Sequence, residues 1–281
     1  MVAIGQFNYL QIVQQAPQGV YLAAKPYGKI LLPKKYLPKG FQLDDWIDVF
    51  VYYDSEDRLI ATTRKPLVSV GQFAYLKVKD VNETGAFLDW GLEKDLLVPF
   101  AEQASKMIQG HSYTVYVMLD KKTKRIIASS KIDKYLSETA DKKFQIGQAV
   151  DLIVYRKTEL GYSAIINNSH LGLLYQNEIF QPLRYGQKLK AFIKTIRQDG
   201  KIDLSLNRSS KQTYAELPEQ IMQYLQQHNG ISQLTDKSPP EEIYKTFAVS
   251  KANYKKALGK LYKERKILIE KDHISLVSQQ N

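Results

Sequence analysis

One unit of sequence occurs twice at a fixed spacing. The stretch GVYLAAKPYGKILLPK begins at Gly19 and GAFLDWGLEKDLLVPF begins at Gly85, and 85 minus 19 is 66. Tyr21 and Phe87 are separated by the same 66, as are Pro33 and Pro99. The register extends outward without a gap, from Gly5-Gln6-Phe7 against Gly71-Gln72-Phe73 to Asp54 against Asp120. One residue is then added, so that Arg125 answers Arg58. An offset held that far marks duplication of one folding unit. A third, more diverged copy opens at Gly147-Gln148-Ala149, continues through YSAIINNSHLGLLY and ends in KLKAFIKTIRQDGKIDLSL.

Each copy reads as five short strands. In the second they run roughly over Phe73–Asp80, Gly85–Trp90, Asp95–Val98, Tyr113–Leu119 and Arg125–Ser130. Tyr113, Val115, Val117 and Leu119 alternate as in a half-buried strand, and polar turns follow at Asn82–Gly85 and Lys121–Lys124. Five strands in a unit of this length suit a small closed barrel of the OB type. The expected fold is mainly β, with three tandem barrels over 1–67, 68–136 and 137–207 and an α+β domain over 208–281.

Charge and composition narrow the function. The chain carries 40 Lys+Arg against 29 Asp+Glu, a net charge of +11, which favours a polyanionic partner. Every copy is net positive: 8 basic and 6 acidic residues in 1–67, 10 and 8 in 68–136, 10 and 7 in 137–207. There is no Cys, and His111, His170, His228 and His273 are far apart, so no disulfide framework, thiolate metal site or nucleophile–His arrangement is expected. No cofactor and no metal are expected. MVAIGQFNYL lacks the basic-then-apolar pattern of a secretion signal, and no apolar run approaches a membrane span. A soluble cytoplasmic monomer is the default.

The pattern G-x-F-[LV]-D-x-G…L-L-V, followed by D-x-x-x-R-[IL], resembles the ribosomal-protein S-one RNA-binding domain. The resemblance implies an OB barrel that binds single-stranded RNA on one face, through aromatics, a His after G-L-[LV], and an Asp and Arg flanking the last hairpin. Carried over, it implies Tyr21 and Phe87 as the aromatics, and Asp54 with Arg58 and Asp120 with Arg125 as the hairpin pairs. Alternation alone leaves Tyr21 and Phe87 open to a core role, and Asp54/Arg58 to a surface pair. The sequence departs from the pattern at the His, which falls on Val98 in the second copy and Leu32 in the first. In the third copy Gly172-Leu173-Leu174-Tyr175 puts Tyr175 there, and Arg197 and Lys201 replace the Asp/Arg pair. Tyr162, Tyr175, Arg184, Lys194, Arg197 and Lys201 form an aromatic-plus-basic set, which suits a single strand, whose bases stack and whose phosphates need neutralising.

After Leu206 the period changes from two to helical. NRSSKQTYAELPEQ reads as a linker, Asn207 to Leu217, into a helix near Pro218 that carries Ile221 and Leu225 and stops before Asn229-Gly230. Ser238-Pro239-Pro240-Glu241 reads as a capping box opening a second helix. A third runs from after Ser250 to about Glu264, with Tyr254, Leu258 and Leu261 as its apolar stripe. Strands at Ile267–Glu270 and Ile274–Val277 follow. Three helices and a hairpin describe a winged helix-turn-helix, whose third helix enters the major groove in DNA-binding members. Lys251, Lys255, Lys256, Lys260, Lys263, Arg265 and Lys266 stand there against Glu264 alone. With only Asn253 of base-reading character, backbone contact is expected.

Across all four modules the chain resembles the CvfB/YitL family of bacterial RNA-binding proteins, in KDLLVPF, HLGLLYQNEIF and KALGKLYKERKI. That implies a post-transcriptional regulator linked to virulence-factor expression, with single-stranded RNA as partner and duplex DNA or structured RNA as candidates at the winged helix. Two other readings stay open. One is a transcription regulator whose winged helix reads duplex DNA while the barrels bind a partner. The other is a nuclease with Mg²⁺ held by Asp89 and Asp95, against which Lys94 adds a local positive charge.

Overall fold

The computed structural model describes residues 1–179, 182–207, 210–247 and 249–277, with the backbone alone at 210–215. Phe180, which ends HLGLLYQNEIF, lies outside them. The chain forms two compact units, Met1–Leu136 and Ser137–Asn281.

The first unit holds two closed five-stranded barrels. One comprises β1 (Phe7–Ala16), β2 (Gly19–Ala23), β3 (Lys29–Pro33), β4 (Trp46–Tyr53) and β5 (Leu59–Thr62). The other comprises β6 (Phe73–Asn82), β7 (Gly85–Leu88), β8 (Leu96–Pro99), β9 (Ser112–Leu119) and β10 (Ile126–Ser129). The second unit opens with a third barrel of β11 (Ala149–Thr158), β12 (Gly161–Ile166), β13 (His170–Tyr175), β14 (Lys188–Ile196) and β15 (Ile202–Ser205). Strand order is the same in all three: first, second, third, fifth, fourth, then back to the first. The OB-type assignment therefore holds for every copy.

The duplication reaches into the details. The first strand of each barrel slips register at one place, between Ile12 and Gln14, Val78 and Asp80, and Val154 and Arg156. That bulge bends the strand so that it serves two neighbours. Gly19, Gly85 and Gly161 open the second strands, where a Cβ would lie 2.1, 2.3 and 2.0 Å from the carbonyl oxygens of Leu32, Val98 and Leu174. Only glycine permits so close an approach. The last hairpin closes through Asp54 N–H to Arg58 O, Asp120 N–H to Arg125 O and Arg197 N–H to Lys201 O, at 2.8–2.9 Å. The third copy keeps an ungapped offset of 76 from the second: 147 minus 71, 161 minus 85 and 175 minus 99.

Inside each barrel the alternating residues close a core. Val20, Leu22, Leu32, Val49 and Val51 are buried in the first barrel, and Val154, Ala164, Ile166, Leu174 and Leu204 in the third. The first two barrels also share a core, because Phe50 and Tyr52 of β4 pack with Trp90, Leu88 and Leu96 of the second barrel.

The rest of the second unit is a winged helix: α1 (Ser210–Gln227), β16 (Ile231–Ser232), α2 (Pro240–Phe247), α3 (Lys251–Lys263), β17 (Ile267–Ile269) and β18 (Ile274–Leu276). Its core is Leu217, Ile221, Leu225, Ile243, Tyr254, Leu258 and Leu261, with Ile267 and Ile274. Three expectations are corrected. The helix expected near Pro218 begins at Ser210 and runs through the proline. Leu217, Ile221 and Leu225 extend one buried stripe across it, which outweighs the roughly 3 kcal/mol that an interior proline costs. The linker is correspondingly shorter, and Arg208 and Ser209 within it lie outside the described residues. Next, α2 begins at Pro240, and the Ser238 hydroxyl accepts from the Thr235 N–H at 2.9 Å, tying off the preceding turn. Finally, the sheet has a third strand, β16, paired with β18. Two residues are too few to show a period. The third helix starts after Ser250 as expected, and there Ser250 Oγ accepts from the Asn253 N–H at 3.2 Å.

Candidate nucleic-acid interface

On the second strand of the first two barrels the outward-facing aromatic is half-buried between fully buried neighbours. Tyr21 lies between Val20 and Leu22, and Phe87 between Ala86 and Leu88. Both rings thus stand on the outer barrel face, beside Leu31 and Leu97 of the third strands. Gln18 Nε2 donates to the Tyr21 hydroxyl at 3.0 Å.

The third copy differs from the sequence reading by one position. Gly161 pairs with Tyr175 as Gly19 pairs with Pro33 and Gly85 with Pro99. Tyr175 therefore corresponds to Pro33 and Pro99. Leu32 and Val98 correspond to Leu174, and all three are buried core residues. Tyr162 is likewise corrected: its cross-strand partner Lys157 matches Gln15 and Val81, so it stands where Val20 and Ala86 stand, and it packs on the core. The outward position of the aromatic is Ser163, opposite Arg156.

The basic residues of the third barrel gather around Tyr175. Arg197 donates to the Tyr175 hydroxyl and to Asp203 Oδ1, through Nε at 2.9 Å and Nη2 at 2.7 Å. The bond to Asp203 holds the guanidinium above its usual range. Lys194 and Arg197 each lie 5.8 Å from the ring centroid of Tyr175, and Lys194 pairs with Glu178. Beside them a groove of about 490 Å³ is lined by Arg156, Ser163, Leu171, Leu173, Arg197 and Lys201, among others. Arg184 does not line it. Arg156, which the sequence reading does not single out, also lines it, because it pairs across the strands with Ser163 as Asp80 pairs with Phe87.

The matching face of the second barrel is partly covered. Its groove, about 440 Å³, is lined by Phe87, Leu97, Arg125 and Ile127 and also by Tyr52, Tyr53 and Asp57 of the first barrel. The expected side-chain pair of Asp120 with Arg125 does not form. Asp120 Oδ1 accepts from the Thr123 N–H and hydroxyl, whereas Arg125 Nη2 donates to Asp57 at 2.5 Å. The extra residue in that hairpin lets Thr123 fold onto Asp120 and leaves Arg125 to the neighbouring barrel. Lys94 also reaches Asp57, at 3.0 Å, and the Asp54 carbonyl, at 2.6 Å. The hydrogen bond from Lys94, with Arg125 beside it, holds the Asp57 carboxyl below the usual carboxylate range. A carboxyl lowered on folding stabilises above its unfolded pKa, and that contribution disappears as pH falls through the folded value. Asp57→Asn is therefore expected to lower the melting temperature at neutral pH and to have no effect once Asp57 is protonated, as pH-dependent calorimetry would show. In the first barrel Asp54 does pair with Arg58, at 2.8 Å, and Glu56 shares the guanidinium.

On the winged helix, Lys255, Lys256, Lys260 and Lys263 are exposed on α3 and Arg265 and Lys266 just beyond it. Lys255 pairs with Asp236, and Lys260 and Lys266 with Glu264. Lys251 Nζ donates to the Lys237 carbonyl, and the Asn253 N–H is taken by the cap. Lys256, Lys263 and Arg265 form no ion pair among the described residues. Exposed pairs contribute at most about 1 kcal/mol each, so phosphates can compete for these side chains.

Asp89 and Asp95, the two carboxylates of the nuclease reading, are each engaged by other groups. Asp95 pairs with Lys79 at 2.8 Å, Asp89 accepts from the Gly91 N–H, and no cluster of three or more His, Asp or Glu among the described residues could hold a metal ion. No helix among them is long and apolar enough to cross a membrane.

Comparison with known proteins agrees with this architecture. The S1 domain family matches residues 4–64 and 70–131, and the CvfB-like winged helix domain matches residues 219–276. The chain therefore carries S1 domains and a CvfB-like winged helix domain, and over most of its length it is similar to proteins named for virulence factor B and YitL. It is 28% identical to "Uncharacterized protein YitL" of Bacillus subtilis, over 95% of this chain and 91% of that one. It is 24% identical to "Conserved virulence factor B" of Staphylococcus epidermidis, over 98% and 95%. A crystal structure of a multidomain protein with nucleic acid binding domains from Streptococcus pneumoniae is 24% identical and aligns over 98% of each chain, with a TM-score of 0.42. The S1 match takes in the first two barrels. The third barrel, beyond the matched residues, has their strand order, bulge and glycine.

Proposed function

We propose that the chain binds single-stranded RNA and acts as a cytoplasmic, non-enzymatic, monomeric regulator after transcription, built of four modules at 1–67, 68–136, 137–207 and 208–281. Its relatives named for virulence factor B extend the reading to control of virulence-factor expression. The observation that carries it is the third-barrel groove, where Arg156, Arg197 and Lys201 outnumber Glu138 and Glu159 over the apolar floor of Leu171 and Leu173, and where Arg197 links the groove to the ring of Tyr175 next to it. Aromatics with interleaved cations on an OB face are what a single strand needs. The second barrel is the weaker surface, because its groove is shared with Tyr52, Tyr53 and Asp57 of the first barrel. Lys256, Lys263 and Arg265 of the winged helix add phosphate contacts.

Photocrosslinking to random single-stranded RNA should map adducts to Tyr175 and the residues around it. Adducts confined to α3 and displaced by duplex DNA would favour the transcription-regulator reading instead. Affinity should fall steeply with salt, since each neutralised phosphate of a single strand adds about −0.7 to the slope of log K against log salt. Lys201→Ala should remove roughly 0.7 of that slope. A slope unaltered by that change would take Lys201 out of the interface.

A further inference from the structure

The three barrels are copies of one unit, so each surface position of one has a counterpart in the other two. The outer face formed by the first and fourth strands breaks the pattern. In the third barrel Asp151 faces Lys190, and they make an exposed ion pair at 2.9 Å. In the second barrel the same positions are Tyr75 and Thr114. In the first they are Tyr9 and Asp48, and Trp46 takes the place of Ser112 and Lys188. Tyr9 and Trp46 stack with centroids 5.4 Å apart and planes 29° apart, yet remain 62% and 55% exposed. Phe7, two residues along the same face, is 44% exposed. A solvated ion pair in one copy is thus an open aromatic platform in another. Large apolar surface left in water in this way marks an interaction site.

The charge around the platform identifies its occupant. A groove of about 440 Å³ runs beside Tyr9 and Trp46, lined by Phe41, Asp44 and Asp45, with Lys39 its single base. Residues 42–48 hold Asp44, Asp45 and Asp48 and no base, whereas the corresponding residues 184–190 of the third barrel hold Arg184, Lys188 and Lys190 and no acid. In a chain of net charge +11 this is a local reversal of sign. Three carboxylates repel a phosphate backbone. Ring faces flanked by carboxylates attract guanidinium and ammonium groups, by cation–π contact and by charged hydrogen bonds.

We propose that this face of the first barrel docks an Arg/Lys-rich segment of a partner protein. Its occupant is therefore of opposite charge to the polyanion bound elsewhere on the chain. The test is a fluorescence-anisotropy titration of the full chain with a fluorescein-labelled Arg-Gly repeat peptide. Trp46→Ala and Asp48→Lys should each weaken peptide binding roughly tenfold, Trp46→Phe should retain most of it, and Tyr175→Ala should leave it unchanged. Affinity for a uridine oligonucleotide should be unchanged by Trp46→Ala, which isolates this site from the RNA reading. Equal peptide affinity in wild type and Trp46→Ala would overturn the proposal. So would a Trp46→Ala protein that loses oligonucleotide rather than peptide binding, which would make the platform a base-stacking site. A wild-type dimer abolished by Trp46→Ala in sedimentation experiments would overturn it in favour of a second copy of the chain.

Discussion

Replacing Trp90 with alanine is expected to destabilise the first unit by about 3–5 kcal/mol, the largest effect of any single change considered. The indole is 3% exposed and meets Phe50 and Tyr52 of the first barrel edge-on, at 5.8 and 6.4 Å. Its Nε1 donates to the Lys94 carbonyl at 2.6 Å, which shapes the loop that carries Lys94 to Asp57. Truncation would open a cavity in the core the two barrels share and also release that loop. Trp90→Phe should recover part of the loss but not the hydrogen bond. Calorimetry of the full chain would measure the change, with the two units treated as separate transitions. A loss below about 1 kcal/mol would mean that the barrels do not depend on each other there. Affinity for RNA per folded molecule should hardly change, because the third-barrel groove belongs to the other unit.

The second large effect is on binding. Tyr175→Ala should weaken single-stranded RNA binding by about 1–3 kcal/mol, as for loss of one stacked base. Tyr175→Phe should keep the ring and lose only the hydroxyl to which Arg197 donates. Arg197→Ala should also weaken binding, and it should cost stability, because Asp203 is 8% exposed and would lose its charged partner. Arg197→Lys cannot reproduce the fork that reaches Tyr175 and Asp203 together. Phe87→Ala should have the smaller effect, its groove being shared with the first barrel. A titration and a thermal melt on each variant separate the two losses. If Phe87→Ala weakened binding more than Tyr175→Ala, the main RNA surface would lie in the first unit.

Periodicity and repetition in the sequence determined the architecture. The offset of 66 carried the second barrel from the first, and period-two runs such as Tyr113 to Leu119 carried the strands. Both signals are local, because a pleated strand puts alternate side chains on opposite faces wherever it lies. The three helices of the last domain were legible from their own local period, while β16 and the stretch of α1 ahead of Pro218 were not. One is too short for a period, and in the other a buried stripe overrides the local preference of proline.

The site depended on register and on neighbours, which no local pattern encodes. A shift of one residue moves a side chain between core and surface. That is why Tyr175 is equated with Pro33 and Pro99 only through its pairing with Gly161, and why Tyr162 faces the core while Ser163 faces out. Arg125 looks like half of a hairpin pair with Asp120 in the sequence, but its partner is Asp57, 68 residues away in another barrel. The exposure of Tyr9 and Trp46 is equally invisible, since each is an ordinary aromatic in an alternating strand. The sequence by itself determined how many barrels there are and which way their side chains alternate. Tertiary structure alone decided which outward faces remain open and which cations remain unpaired, because both depend on what packs against a strand from elsewhere in the chain.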